Sequence, residues 1–145
     1  MIKDVVISIN SLIDYGMEEE DSIDFTTDGV YQFEKGAAHI GYLETEVTGL
    51  QGTQTTVLVT AEKVIVDRRG ALTSRMEFIP GGKSQFLYDT PVGMATMTMN
   101  TRSVRHRFDA KGGELEIDYV LDMEHTVVSR NKFRLTVREQ KEMGV

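Results

Sequence analysis

Tyr42, Glu44, Glu46 and Thr48 stand at every second position of one stretch, with Leu43 and Val47 among the residues between them. On an extended strand alternate side chains share a face, so this spacing gathers a phenol, two carboxyl groups and a hydroxyl on one side. The β-carbons of two such acids lie roughly 6.5–7 Å apart. Acid–base chemistry uses carboxyl pairs, although a glycosidase also needs a cleft and oriented sugar contacts. Two orientations of the strand are open. With Leu43 and Val47 turned inward, the simpler arrangement, the acids are merely solvated. With the even face inward, the acids and the phenol enter the interior, where they need partners or raised pKa values. Arg68, Arg69, Arg75 and Arg102 are the cations able to supply the counter-charge, and such an interior suits a polar ligand.

A second constellation is the basic run Arg102-Ser103-Val104-Arg105-His106-Arg107. Alternation groups Arg105 with Arg107, and sets Arg102, Val104, His106 and Phe108 on the other face. The plain expectation is a charged outer face pairing with acidic neighbours; the alternative is an anion-binding patch. A nucleic-acid reader would add interleaved aromatics and a basic overall field. The chain has a formal net charge of −7 instead, so no nucleic-acid partner is expected. The three histidines, His39, His106 and His125, do not stand at metal-ligand spacing, so no metal is expected. His125 falls in an expected turn, and His106 on an apolar face reads as a core residue. Met97 and Met99 share a face with Ala95 and read as core packing or as a pliable wall for a ligand. The acidic run Glu18-Glu19-Glu20-Asp21 reads as a solvated loop. No Gly-x-Ser-x-Gly motif and no glycine-rich phosphate loop occurs, and no cofactor is expected.

The elements that hold these residues are strands. From Ile2 to about Val137, apolar and polar residues alternate, and a glycine or another turn former interrupts the pattern every ten residues or so. This is the pattern of a long antiparallel meander. A sheet of that length hides its edges most completely by closing into a barrel. Val5, Ile7, Ile9 and Ile13 share a face of the first strand. Ile23, Phe25, Tyr31 and Phe33 keep one phase through Gly29, which suggests a single strand with a glycine bulge or kink there and a turn at Lys35-Gly36. Strand three runs 37–48. Further strands follow at about 53–60, 63–69, 73–79 and 83–90, then 94–109. Pro80-Gly81-Gly82, Thr90-Pro91-Val92-Gly93 and Ala110-Lys111-Gly112-Gly113 mark turns. In the last hairpin, a turn at His125 sets Glu116 opposite Arg134 and Asp118 opposite Lys132. Such opposite-charge pairs contribute roughly 0.2–1 kcal/mol each.

The chain has 145 residues, enough for one domain over 1–140 and a short polar tail over 141–145. It has no cysteine, which excludes disulfides, thiolate metal sites and cysteine nucleophiles. No apolar run nears the roughly 20 residues that cross a bilayer. The first residues enter a strand directly and carry Asp4, Ser8 and Asn10, unlike a signal peptide. A cytoplasmic protein without membrane partners is the expectation.

Several segments together resemble a known family. They are Phe25-Thr26-Thr27-Asp28-Gly29-Val30-Tyr31, the stretch from Ile40-Gly41-Tyr42-Leu43 through Gly52-Thr53, and Ser74-Arg75-Met76-Glu77-Phe78. To these are added Tyr88-Asp89-Thr90-Pro91-Val92-Gly93, Gly113-Glu114-Leu115-Glu116-Ile117-Asp118-Tyr119 and Val128-Ser129-Arg130-Asn131. In combination they resemble the YwiB-like bacterial proteins, uncharacterised β-barrels grouped with calycin or lipocalin-like barrels. The resemblance spans nearly the whole chain. It implies an all-β, up-and-down antiparallel barrel of roughly eight to ten strands, and it implies no activity.

The function expected from this fold is non-enzymatic binding of a small amphipathic molecule in the lumen or at its mouth. The residues expected to meet it are Tyr42, Glu44, Glu46, Arg75, Tyr88, Met97, Met99 and His106. The alternative is a filled barrel that acts as an interaction module through its outer surface or as a homodimer. An enzyme using Glu44 and Glu46 ranks third.

Overall fold

The computed structural model describes residues 2–16, 19–45, 51–70, 73–90, 93–123 and 126–140; at 19 and 88–90 it describes the backbone alone. Ten strands make up nearly all of this: β1 (Lys3–Gly16), β2 (Glu19–Glu34), β3 (Ala37–Leu43), β4 (Gln54–Val59), β5 (Val64–Arg69), β6 (Ser74–Phe78), β7 (Lys83–Thr90), β8 (Gly93–Asp109), β9 (Gly112–Met123) and β10 (Thr126–Glu139). Every chain-adjacent pair except β6 and β7 forms an antiparallel ladder. β1 also pairs with β10, from Val5 opposite Glu139 to Asp14 opposite Arg130. The two ends of the ribbon therefore meet, and the result is a nearly closed ten-stranded antiparallel barrel. An ion pair reinforces that closure: Lys3 Nζ lies 2.7 Å from Glu139 Oε1 and holds the Glu139 carboxyl below its ordinary range.

The remaining seam lies between β6 and β7. Pro80 and Gly81, with Gly81 at φ 71°, fit the central positions of a type II turn closed by Gly82 N–H donating to the Ile79 carbonyl at 2.7 Å. This turn seats on β8, where Gly81 N–H donates to the Thr101 carbonyl and Thr101 N–H to the Gly82 carbonyl, each at 3.0 Å. Ser84 Oγ donates to the Glu77 carbonyl at 2.7 Å and ties β7 to β6. β8 shifts register against β9 between Thr101 and Ser103, which lets this long strand bend as it passes the turn.

Side chains stack in layers inside the barrel. Ala38, Val59, Val64 and Phe78 are opposite one another across β3–β6, and Ile40, Val57, Val66 and Met76 form the next row. Val5, Ile7, Val57, Val64, Leu115 and Leu135 have no accessible surface, so no water-sized void borders them and this part of the barrel is filled.

The charged hairpin register is as expected. Glu116 faces Arg134 and Asp118 faces Lys132, with a shift confined to the tip between Val127 and Ser129. Lys35 and Gly36 have φ of 53° and 77°, the pair of positive values a two-residue type I′ turn requires. Two expectations are corrected. The acidic run is not wholly loop, because Glu20 and Asp21 pair with Asp14 and Ile13. Gly29 carries no bulge, because the register runs unbroken across it from Val5 to Tyr42. A Cβ there would strike the Ile7 side chain and the Gly41 carbonyl, so glycine serves close packing between neighbouring strands. Strand three ends at Leu43, short of the expected Thr48; residues 46–50 and the tail 141–145 lie outside the described residues.

Candidate functional site: the polar end of the barrel

Above the two apolar rows the inward positions turn polar. Tyr42, Thr55, Arg68 and Ser74 stand opposite one another across β3, β4, β5 and β6. Glu44 follows Tyr42 on the same face and is 4% exposed, while Leu43 between them is 59% exposed. The even face of strand three thus points inward, and the simpler expectation that Leu43 would be buried does not hold. Ala38 and Ile40 fill the apolar rows, and the pleat then carries Tyr42 and Glu44 to the same side.

Glu44 is held by Thr55, whose Oγ1 donates to Oε1 at 2.8 Å, and by its own N–H donating to the Thr53 carbonyl at 2.8 Å. Arg68 supplies the counter-charge. Its Nε lies 3.8 Å from Glu44 Oε1, inside ion-pair range but too long for a hydrogen bond. That Nε is enclosed and has no hydrogen-bond partner among the described residues, and Nη1 touches Met76 Sδ at 3.7 Å. Burial pushes the Tyr42 phenol up, and the Glu44 carboxyl beside it adds to the rise while Arg68 opposes it. Tyr119 is also pushed up by burial, again with Arg68 acting against it. Phe25 packs on Tyr42 at 6.3 Å between ring centroids, and Phe78 meets Tyr119 edge-on at 4.9 Å.

The remaining expected residues scatter. Arg75 is not at the site: Met76 and Phe78 point inward, so Arg75 faces out, 60% exposed, with Nη2 3.7 Å from Glu77 Oε1. Arg69 faces out as well and pairs with Asp67. Met99 is fully buried in the core, and Met97 is half-buried on the same face. His106 shares the inward phase but is exposed, because β8 borders the open seam there; the expectation of a core histidine is corrected. Tyr88 of β7 pairs with Ala95 of β8, and Glu46 lies outside the described residues.

Thr55, Ser74, Thr101, Tyr119, Ser129 and Asn131 also belong to the polar interior, and the sequence reading passed over them. Ser74, Ser129 and Asn131 are buried, and Asn131 Nδ2 donates to Ser129 Oγ at 3.0 Å. Thr101 Oγ1 is enclosed without a hydrogen-bond partner among the described residues. Their signal was phase: Asn131 continues the inward series of Phe133, Leu135 and Val137, and Thr55 that of Val57 and Val59.

The outer face carries stripes of charge that follow the strands. Arg130, Lys132 and Arg134 run along β10, Glu116 and Asp118 along β9, and Arg105 and Arg107 along β8. Arg134 Nη2 lies 2.9 Å from Glu116 Oε1. A groove of about 330 Å³ crosses this face beside Asn10, Arg105, Asp118 and Lys132. The basic run is therefore largely an outer surface among acidic neighbours.

Strands on all sides, a filled apolar middle and an enclosed polar end define a β-barrel of the small, side-chain-packed kind. The chain belongs to the family described as "Domain of unknown function (DUF1934)", whose model matches residues 7–135. It is similar to the uncharacterized beta-barrel protein YwiB of Bacillus subtilis (strain 168), 25% identical over 115 residues that cover 79% of each chain. The crystal structure of the YwiB protein from Bacillus subtilis has the same fold, with a TM-score of 0.84 at 21% identity over 97% of this chain and 94% of that one. Among the described residues no helix is long and apolar enough to cross a membrane.

Proposed function

We propose that the chain is a non-enzymatic cytoplasmic binding protein that holds a small amphipathic molecule at the polar end of its barrel, with an anionic head group directed to Arg68. One observation carries this reading: the enclosed Arg68 Nε donor has no acceptor among the described residues. An unmet buried donor costs about 1–3 kcal/mol, more when charged, and a ligand carboxylate would recover that cost. Phe86, Leu121 and Phe133 are half-buried against the core and leave apolar surface for a ligand's body. The filled rows below argue for a seat at one end of the barrel instead of along its axis. Calycin-like barrels, which the sequence resembles, offer precedent for a ligand at a barrel mouth.

The test is thermal stabilisation by decanoate against decanol. Decanoate at a hundredfold excess over its dissociation constant should stabilise the protein by about 2.7 kcal/mol, and decanol far less. The paired variant Glu44→Gln with Arg68→Met, folded by circular dichroism, should lose the preference for the acid. Equal effects of acid and alcohol, or an unchanged preference in the paired variant, would overturn the proposal.

A second reading, a filled-barrel interaction module working through its outer face or as a homodimer, is favoured by the absence of accessible surface on Ile7, Val64, Leu115 and Leu135. Sedimentation velocity across a concentration series tests the homodimer form: a monomer at every concentration rules it out.

A further inference from the structure

We infer that the seam-side edge of β8, from Ser103 to Asp109, accepts an extended acidic segment of another protein as an added strand. β7 accompanies β8 only as far as Lys83 opposite Asn100, and the β6–β7 turn caps one more residue, Thr101. Beyond that point β8 continues to Asp109 with β9 on one side. On its other side, among the described residues, it meets no ladder, and the one polar contact is the Tyr31 hydroxyl donating to the Asp109 carbonyl at 2.6 Å. Alternate residues of this stretch therefore hold their N–H and C=O groups toward the seam. Arg105, His106 and Arg107 are exposed. An open edge of this kind is a template for main-chain pairing with a second polypeptide.

The side chains decide which polypeptide fits. An added strand sends successive side chains to opposite faces of the sheet. On the inward face a cleft of about 260 Å³ lies between His106, Phe108, Phe33 and Val59, with room for an apolar side chain. On the outward face Arg105 and Arg107 stand two residues apart and make no ion pair within the described structure. Across the β8–β9 ladder Arg105 stands opposite Glu116, which is already paired with Arg134, and Arg107 stands opposite Glu114. The complementary segment alternates acidic and apolar residues. A second copy of this edge is disfavoured, because pairing β8 with β8 would set the same arginines against each other. The edge is separate from Arg68, and its occupancy does not depend on a ligand there.

The experiment is amide hydrogen exchange by NMR on the full chain with a peptide of about six residues, a common strand length, alternating Asp and Leu. Three controls accompany it: the peptide N-methylated at alternate positions, a Lys/Leu counterpart, and the chain alone at rising concentration. The Asp/Leu peptide should slow exchange at alternate amides between Ser103 and Asp109, and the N-methylated form should not. Arg105→Glu with Arg107→Glu should weaken binding by about tenfold or more and transfer the preference to the Lys/Leu peptide. Equal binding of the N-methylated peptide, unchanged exchange in this stretch, or protection that rises with protein concentration alone would overturn the inference; the first and second stand on the unmutated chain and do not need the variant to fold.

Discussion

The guanidinium of Arg68 and the carboxyl of Glu44 face each other at 3.8 Å inside a wall of threonine, serine and tyrosine. Removing one partner leaves the other buried without its counter-charge. Arg68→Met should cost about 2–3 kcal/mol in urea denaturation, below the cost of breaking a fully buried pair because Arg68 keeps 23% of its side chain exposed. Adding Glu44→Gln should restore part of that loss. If the single and paired variants are equally unstable, the two groups are not coupled. Tyrosines provide a second check at this scale. Burial, and then the Asp109 carboxyl, push the Tyr31 phenol up to about 12. Its unfolded counterpart ionises near 10. The folded state therefore holds a proton that the unfolded state releases, so this contribution is complete below pH 10 and is lost as pH rises toward about 12. Tyr42 and Tyr119 act in the same direction. Urea midpoints should fall between pH 9.5 and pH 11.5, and fall less in Tyr31→Phe; an equal fall in both would refute the role of Tyr31.

At the scale of elements, the strands that could be read from sequence were those where several signals agreed. In the β9–β10 hairpin, hydrophobic phase, turn position and cross-strand charge all pointed to one register, and Glu116 does face Arg134. Strand three was ambiguous because Leu43 pulled one way while Ala38 and Ile40 pulled the other. Leu43 lies at the end of its strand, where the pleat set by the apolar rows outweighs the burial of one leucine. Continuing the phase of Ile40 would have found Tyr42 and Glu44. Arg75 was misplaced for the opposite reason: its chemistry suited a site, but the phase of Met76 and Phe78 had already turned it outward. His106 shows what phase cannot tell, since its exposure depends on a seam set by strands far away in the chain. Gly29 tests the packing of β2 directly. Gly29→Ala should destabilise by about 1–3 kcal/mol, because both the Ile7 side chain and the Gly41 backbone must move. A loss of a few tenths, which a mere helix–strand propensity change would produce, would show that the strands have room.

At the scale of the molecule, closure is unequal around the barrel. The β1–β10 ladder joins the first and last strands over a long register, whereas among the described residues β6 and β7 are hydrogen-bonded through one turn and one serine hydroxyl. Amide exchange should be slowest along β1 and β10 and fastest along β6 and the seam edge of β8. Uniform protection around the ring would contradict a seam. Neither this asymmetry nor the ten-strand count was fixed by local alternation, because closure depends on which strands meet after the whole ribbon has curled. We propose that this enclosure offers the Arg68 Nε donor, which has no hydrogen-bond partner among the described residues, to an anionic head group. The most direct measurement follows the Arg68 Nε–H resonance during titration with decanoate. The account expects a large downfield shift that saturates with binding. A resonance that stays in place while decanoate shifts signals elsewhere would contradict it.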